Sequence, residues 1–373
     1  MKIGLDAKRL FNNFTGLGNH SRTTIDIVGS EFPDTSFYLY TPRVTSCETT
    51  DRYMNRPDCH VVMPDGMMRG SVWRTLGIAA ECRRDGIDVF HGLSNELPVG
   101  MHRYGIPTVV TIHDVAFKTF PLMYKWHDRM IYDLKWRYAC RNADRIIAIS
   151  QCTKLDVMRF YGVDEEKISV VYQPVNGLYY EELTSGTLAE EGKECTDYML
   201  YVGSVNSRKN LLGVVKAMSL LPADLRTKLI VVGDGGTYKR EVMDYVVSHG
   251  LEPMVEWRRA TDHTELRKLY SHALLFVYPS FYEGFGLPVV EAQLSGCPVV
   301  TSNVSSLPEA GGPYALKADP NSPEDIADKL SRLIADKALR NELALKGREY
   351  AMNTFHPAVL ARQLMDVYRL SME

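Results

Sequence analysis

Leu274-Leu275-Phe276-Val277-Tyr278-Pro279-Ser280-Phe281-Tyr282-Glu283-Gly284-Phe285-Gly286-Leu287-Pro288-Val289-Val290-Glu291-Ala292 is the stretch that decides how this chain folds. Its first five residues are apolar and read as a buried strand. Gly284 and Gly286 follow in a loop whose backbone can approach a ligand closely. A helix then begins near Leu287. In open α/β sheets, ligands bind beyond the carboxyl ends of the strands, where such a loop sits. The N–H groups at the helix start can receive a phosphate. Glu283 lies in the loop and Glu291 one to two turns into the helix. Two carboxylates so placed can grip hydroxyls at two ends of one ligand. A plain strand–turn–helix with a surface Glu pair fits the same letters.

Working outward, short apolar runs alternate with amphipathic stretches from end to end. One strand series is Lys2–Leu5, Ser36–Tyr40, Val61–Met63, Val89–Phe90, Thr108–Ile112, Arg145–Ile149 and Ser169–Tyr172. A second is Tyr198–Val202, Leu229–Val232, Met254–Trp257, Leu274–Tyr278 and Pro298–Thr301. Strand–helix alternation predicts βαβ units and parallel sheets. Twelve strands exceed one typical open sheet, and 373 residues suit two domains. The break falls at about Gln173 to Thr196, where Gln173-Pro174-Val175-Asn176-Gly177 has turn chemistry and Glu181–Glu194 is polar and acidic. Pro357–Met372 has helical apolar spacing, with Asn353 or Thr354 as a cap.

Composition narrows the class. The net charge of −3 argues against a protein built mainly for nucleic acid. The amino-terminal MKIGLDAKRLF lacks a signal-peptide apolar core, and no window reaches the roughly 18–20 apolar residues of a membrane helix. A cytoplasmic protein is expected. Seven cysteines without a CxxC pair suggest reduced thiols, not a disulfide framework or zinc site.

Other strand ends carry chemistry. Gly203-Ser204-Val205-Asn206-Ser207-Arg208-Lys209-Asn210 follows a strand and opens a helix. The helix dipole disfavours adjacent cations there, and an anionic ligand between Arg208 and Lys209 would resolve the conflict. Thr15-Gly16-Leu17-Gly18-Asn19-His20 carries a G-x-G at a helix start but lacks the third glycine of a dinucleotide fingerprint. His113 ends a very apolar strand, where it would donate to a sugar hydroxyl, act as acid or base, or serve the strand end alone. His91 is a weaker case. Gly233-Asp234-Gly235-Gly236 reads as a tight turn, either bordering a nucleotide or purely structural.

Together these pieces resemble the retaining glycosyltransferases of family 4, with the GT-B fold. The resemblance spans essentially the whole chain. Its strongest part is the E-x7-E pattern of Glu283 and Glu291, continuing through Gly296–Ser302 and Ser306–Glu309. Gly203-Ser204 with Arg208-Lys209-Asn210 is the usual companion. Within the family, the Ser280–Ser302 segment looks most like bacterial polysaccharide mannosyltransferases.

The resemblance implies an α/β GT-B architecture. Two doubly wound, Rossmann-like domains face a cleft. Residues 1–175 form the acceptor side, and residues 176–356 bind the nucleotide sugar. The terminal helix 357–373 crosses back to the first domain. Glu291 would hold ribose hydroxyls, and Arg208 and Lys209 would neutralise the diphosphate. Glu283, with the backbone of Phe285, Gly286 and Leu287, would address the donor sugar. Gly16 and Gly18 would lie by the donor phosphate and sugar, Gly203 in the donor loop, and His113 near the C6 hydroxyl. No D-x-D stands at a strand end, so neither metal nor cofactor is expected. One departure is Arg258-Arg259-Ala260, where similar sequences often carry a glycine beside the base.

The reading is a hexosyltransferase, with mannose from GDP-mannose as donor and a glycan or lipid-linked sugar as acceptor. Alternatives are a UDP-glucose or other UDP-sugar donor, a GT-B-like sugar-nucleotide epimerase, and a non-catalytic binding module. Tyr124–Arg145 mixes basic residues with Trp126, Tyr132, Trp136 and Tyr138. It reads either as a peripheral contact with the inner membrane face or as a domain helix with an aromatic core side. Met67–Arg74 is a second acceptor-side candidate.

Overall fold

The structure is a computed structural model describing residues 1–65, 70–181, 197–259 and 262–373. The chain divides into two units: Met1–Pro174 with Pro357–Glu373, and Val175–His356.

The first unit is built on seven strands: β1 Lys2–Asp6, β2 Ser36–Tyr40, β3 Cys59–Val62, β4 Val89–Gly92, β5 Thr108–Ile112, β6 Arg145–Ala148 and β7 Ile168–Val170. Their order is β3-β2-β1-β4-β5-β6-β7, and the ladders are parallel. Every residue of β5 is buried, as a parallel strand covered on both faces requires. On one face, Leu360, Leu364 and Met365 of the terminal helix Pro357–Met372 share a core with Ile3, Leu5, Val28 and Val89. The same helix places the Tyr368 hydroxyl 2.9 Å from His91 Nδ1. On the other face, Ile78, Trp136, Cys140 and Val157 pack with Phe90, Val110 and Ile146. Asn353 and Thr354 do not cap the terminal helix. They are the last turn of the preceding helix, Lys337–Thr354, and Phe355-His356 makes the corner before Pro357.

The second unit holds β8 Tyr198–Val202, β9 Lys228–Val232, β10 Val255–Arg258, β11 Leu275–Tyr278, β12 Val299–Ser302 and β13 Leu316–Ala318, in the order β10-β9-β8-β11-β12-β13. Its ladders are also parallel. β13 is the strand the apolar pattern misses: it has three residues, only one of them buried, at the sheet's edge. In each unit the strand order reverses once, between β1 and β4 and between β8 and β11. The loops after β8 and β11 therefore leave neighbouring strands at the topological switch point, where doubly wound sheets place their ligands.

Among the described residues no helix is long and apolar enough to cross a membrane. The six cysteines among the described residues are free thiols. Cys195, residues 182–196 of the polar connection, Met67–Arg69 and Ala260 lie outside the described residues.

Candidate active site

The loops after β8 and β11 are stitched together by backbone. Phe281 N donates to the Arg208 carbonyl at 2.8 Å, and the Ser280 hydroxyl donates to the same oxygen at 2.9 Å. Asn210 adopts a left-handed conformation, and its amide donates to the carbonyls of Pro279 (3.1 Å) and Pro320 (2.8 Å). Arg208 and Lys209 occupy a short turn, Ser207–Lys209, that this stitching pins to the end of β11.

Glu283 closes the arrangement. Its Oε2 lies 3.0 Å from Arg208, and its Oε1 lies 3.3 Å from the Lys209 ammonium. Oε1 also accepts from the Tyr278 hydroxyl (2.8 Å), and the Ser280 hydroxyl oxygen lies 3.1 Å from it. Lys209 donates to the Tyr278 hydroxyl, and Arg208 to the Tyr282 carbonyl. Burial alone would raise the Glu283 carboxyl. The charges of Lys209 and Arg208, with the bonds from Arg208 and Tyr278, outweigh it and hold the group below its usual range. The sequence leaves the two cations waiting for an external anion, but Glu283 already supplies an internal one. Two cations thus face this carboxylate at the switch point.

The backbone around Glu283 is clasped as well. Ser305 and Ser306 hydroxyls each donate to the Glu283 carbonyl at 2.8 Å, and Ser306 also reaches the Phe285 carbonyl at 2.9 Å. Gly286, at φ +111°, turns the chain into the helix Leu287–Leu294. A β-carbon there would stand 2.7 Å from Leu307, so the turn needs glycine on two counts.

Glu291 sits on that helix, half-buried, and accepts from the Tyr270 hydroxyl at 3.2 Å. Burial pushes its carboxyl up to about 7, with the Tyr270 bond and Lys209 opposing. The two carboxylates of the E-x7-E pattern are thus held in opposite conditions: Glu283 is firmly ionised, and Glu291 is poised near neutrality. Tyr270 belongs to the site without having been singled out by the sequence. It stands 21 positions before Glu291, and only the packing of the helix His263–His272 brings it there.

In the first unit the glycine loop divides into two cases. A β-carbon on Gly18 would fall 1.7 Å from the Asn13 carbonyl oxygen, and Gly18 N donates to Asn13 Oδ1 at 3.1 Å. Internal packing accounts for this glycine. Gly16 has nothing within 4 Å of where its β-carbon would be. The space beside it is open, at the start of the helix Gly16–Glu31. Gly18→Ala is therefore expected to cost roughly 2 kcal/mol or more of stability. Gly16→Ala should leave stability unchanged or slightly raised. Thermal melts of both variants check this.

His113 is buried and fully partnered: Nε2 donates to the Leu93 carbonyl at 2.8 Å, and Nδ1 accepts from the Gln173 amide at 2.8 Å. Burial lowers it to about 4, so the ring is neutral. Neither ring nitrogen is spare in this arrangement. His20, which the sequence does not single out, packs edge-on against it at 4.6 Å.

The remaining candidates are held by local partners. Gly233 must be glycine because a β-carbon would stand 2.0 Å from the Gly203 carbonyl, so that turn serves loop packing. Arg258 bonds Glu256, while Arg259 is exposed and 3.6 Å from Asp234. Arg74, in the second acceptor-side candidate, is buried in ion pairs with Asp6 and Glu96 (2.5 Å each). Among the described residues no three His, Cys, Asp or Glu side chains gather as metal ligands.

The chain matches two known sequence families, Glycosyltransferase Family 4 over residues 36–176 and Glycosyl transferases group 1 over residues 189–350. It is 31% identical over 294 residues to the O-antigen chain mannosyltransferase B of Escherichia coli, covering 76% of this chain and 74% of that protein. It is 31% identical over 225 residues to the D-inositol 3-phosphate glycosyltransferase of Thermobifida fusca, covering 56% and 51%. Among solved structures, Anabaena HepE in complex with UDP and glucose superposes with a TM-score of 0.70 at 16% identity, covering 98% of each chain.

Proposed function

The chain belongs to glycosyltransferase family 4 and has the GT-B fold, and on that premise we propose that it is a retaining mannosyltransferase. It moves mannose from GDP-mannose onto a glycan or lipid-linked sugar, working at the inner face of the membrane. The observation that carries the reading is the pairing of Arg208 and Lys209 with Glu283 at the β8/β11 switch point. The choice of mannose rests on the likeness to the E. coli mannosyltransferase.

Transfer breaks the bond between the sugar C1 and the phosphate oxygen, and negative charge grows on the departing diphosphate. Arg208 and Lys209, with the helix start at Leu287 and the amides of Phe285 and Gly286, neutralise that charge as it forms. No metal is assigned a part. Glu283 keeps the two cations in place and presents its carboxylate to donor sugar hydroxyls. Both of its oxygens are tied to cations or hydroxyls, which makes it a poor nucleophile. The acceptor hydroxyl attacks C1 from the face the diphosphate leaves and passes its proton to the departing phosphate oxygen, so configuration is retained. Glu291 takes the ribose hydroxyls, and Gly203 keeps the donor loop close to the strand end. Gly16 leaves room for donor phosphate, and Gly18 holds that loop's shape. His113 reaches a sugar hydroxyl by giving up its Gln173 bond.

A donor screen in EDTA tests the reading. GDP-mannose is expected to turn over fastest, with the product keeping the donor's anomeric configuration by NMR. Faster turnover of a UDP-sugar would overturn the mannose assignment. A free, epimerised sugar with no glycosylated product would place the chain among sugar-nucleotide epimerases.

A further inference from the structure

The carboxyl ends of β1 and β4 are neighbours where the first unit's strand order reverses, the position that Arg208, Lys209 and Glu283 occupy in the second unit's sheet. A cluster of charges stands there. Asp6 ends β1, and Arg74 donates to its carboxylate through Nε at 2.8 Å and Nη2 at 2.5 Å. Arg74 also reaches Glu96, in the loop after β4, at 2.5 Å. Lys135 meets the same Glu96 oxygen at 3.3 Å. It comes from the helix Trp126–Asn142, which buries Trp136 against the sheet's core and leaves Trp126 66% exposed. Asp6 and Arg74 are buried, and their pairing is complete without a ligand.

Two further cations of this cluster are different. Lys8 and Arg9 follow Asp6 closely in the chain, and both are half-buried. Neither the Lys8 ammonium nor the Arg9 guanidinium forms a hydrogen bond or ion pair among the described residues. Burial lowers the Lys8 ammonium, and the charges of Arg74 and Arg9 lower it further, with Glu96 and Asp6 opposing. Those two acids are already committed to Arg74, and Glu96 to Lys135 as well. Arg9 also faces the end of β5, where His113 is lowered chiefly by burial and in part by the Arg9 charge. Lysine and arginine ordinarily extend their charged ends into water. Here two of them stay partly withdrawn from it, side by side and next to a third cation. Charges held that way are destabilising until an anion joins them.

We propose that Lys8 and Arg9 hold the phosphate or diphosphate group of an anionic acceptor at the carboxyl ends of β1 and β4. A carboxylate would satisfy one of the two cations, whereas a phosphate group carries up to about two charges and offers oxygens to both. Arg9 supplies a planar fork and Lys8 a compact point charge. The donor's diphosphate has its own cations, Arg208 and Lys209, within Val175–His356. The proposal deepens the proposed function. It rests on the reading of a transferase with a lipid-linked acceptor, and it gives that acceptor's phosphate a subsite.

Calorimetric titration of the full chain with inorganic pyrophosphate tests this without any sugar transfer, so its failure is separate from a failure of the mannosyltransferase reading. Wild type is expected to bind two pyrophosphates per chain. The pair Arg208→Ala, Lys209→Ala should leave one site, and the pair Lys8→Gln, Arg9→Gln should leave the other. Butyl diphosphate should displace pyrophosphate from the site that remains in the Arg208→Ala, Lys209→Ala variant. The Lys8→Gln, Arg9→Gln variant should melt no lower than wild type, because it removes charges the fold does not pair, and should keep wild-type affinity for GDP and UDP. Wild-type binding of a single pyrophosphate overturns the proposal, as does a Lys8→Gln, Arg9→Gln variant that still binds two. A lower melting temperature in that variant would make the two cations structural and overturn it. Affinity for GDP or UDP at least about tenfold weaker would give them to the donor's diphosphate, which also overturns it. Butyl diphosphate that fails to displace pyrophosphate would mean an adventitious ion only, and the proposal would fall.

Discussion

Arg208→Ala is expected to lower kcat/KM for sugar transfer by about 10²–10³-fold, the range seen when one donor to a developing negative charge is removed. Two losses are combined in that figure. The diphosphate loses a charge-assisted partner, and Glu283 loses the guanidinium on its Oε2. Its carboxyl should then rise toward the value its burial favours, and the loop after β11 should loosen. Arg208→Lys separates the two effects. It keeps a cation but gives up the guanidinium whose Nη1 meets both Glu283 and the Tyr282 carbonyl. A loss of roughly tenfold is expected there. Lys209→Ala should resemble Arg208→Ala, and the double variant should fall short of the product of the two, because both cations act on one group. Steady-state transfer assays read these effects, with melting curves confirming that the variants are folded. Arg208→Ala retaining a third or more of wild-type activity would sink the site assignment.

Glu291→Gln should raise stability at pH 8 and weaken the donor. The carboxyl is raised from its ordinary value, near 4.5, to about 7 by burial. Between those two values the folded chain holds a proton that the unfolded chain has released. The stability this provides is therefore complete below about pH 4.5 and is lost as pH rises through 7. Above pH 7 the ionised carboxylate is a standing penalty, and glutamine removes it. The gain at pH 8 is expected to be about 3 kcal/mol at most, vanishing near pH 4.5. Donor affinity should move the other way, falling roughly tenfold at pH 8, because an amide offers one accepting oxygen where the carboxylate offers two. In the wild type, donor affinity should decline as pH drops below 7. In Glu291→Gln it should be flat. The groups facing Glu291 are Tyr270, Tyr179, Tyr180 and Lys209. The three tyrosine hydroxyls are held above their usual range, chiefly by burial, so they do not titrate in this window. Calorimetry between pH 5.5 and 8.5 measures both quantities, and a wild-type affinity independent of pH would refute the role given to Glu291.

The strand–loop–helix around Glu283 is legible because its signals are local: an apolar run, two glycines and a helix start lie within twenty residues. The same is true of the β8 loop. What joins them is not local. Arg208 and Glu283 are 75 positions apart and meet because β8 and β11 are neighbours across the sheet's reversal. Nothing in either segment states that adjacency, so the internal counter-ion goes unread. Trp126 and Trp136 make the complementary point. They are the same residue type on one helix, and only the sheet behind the helix decides which is covered. Gly16 and Gly18 look like one motif in the sequence. The backbone carbonyl of Asn13 separates them, giving one glycine a packing reason and leaving the other with open space.

The terminal helix Pro357–Met372 bears on how the protein is made. It covers one face of the first unit's sheet, yet the ribosome makes it only after the whole of Val175–His356. Nascent domains generally fold as they emerge. Here the first unit must wait, with Ile3, Leu5 and Val89 uncovered, until all of Val175–His356 has been synthesised. The second unit has no such delay, since its residues are continuous. The second unit is thus placed to finish folding first, and the first depends on Pro357–Glu373, made later, to complete its core.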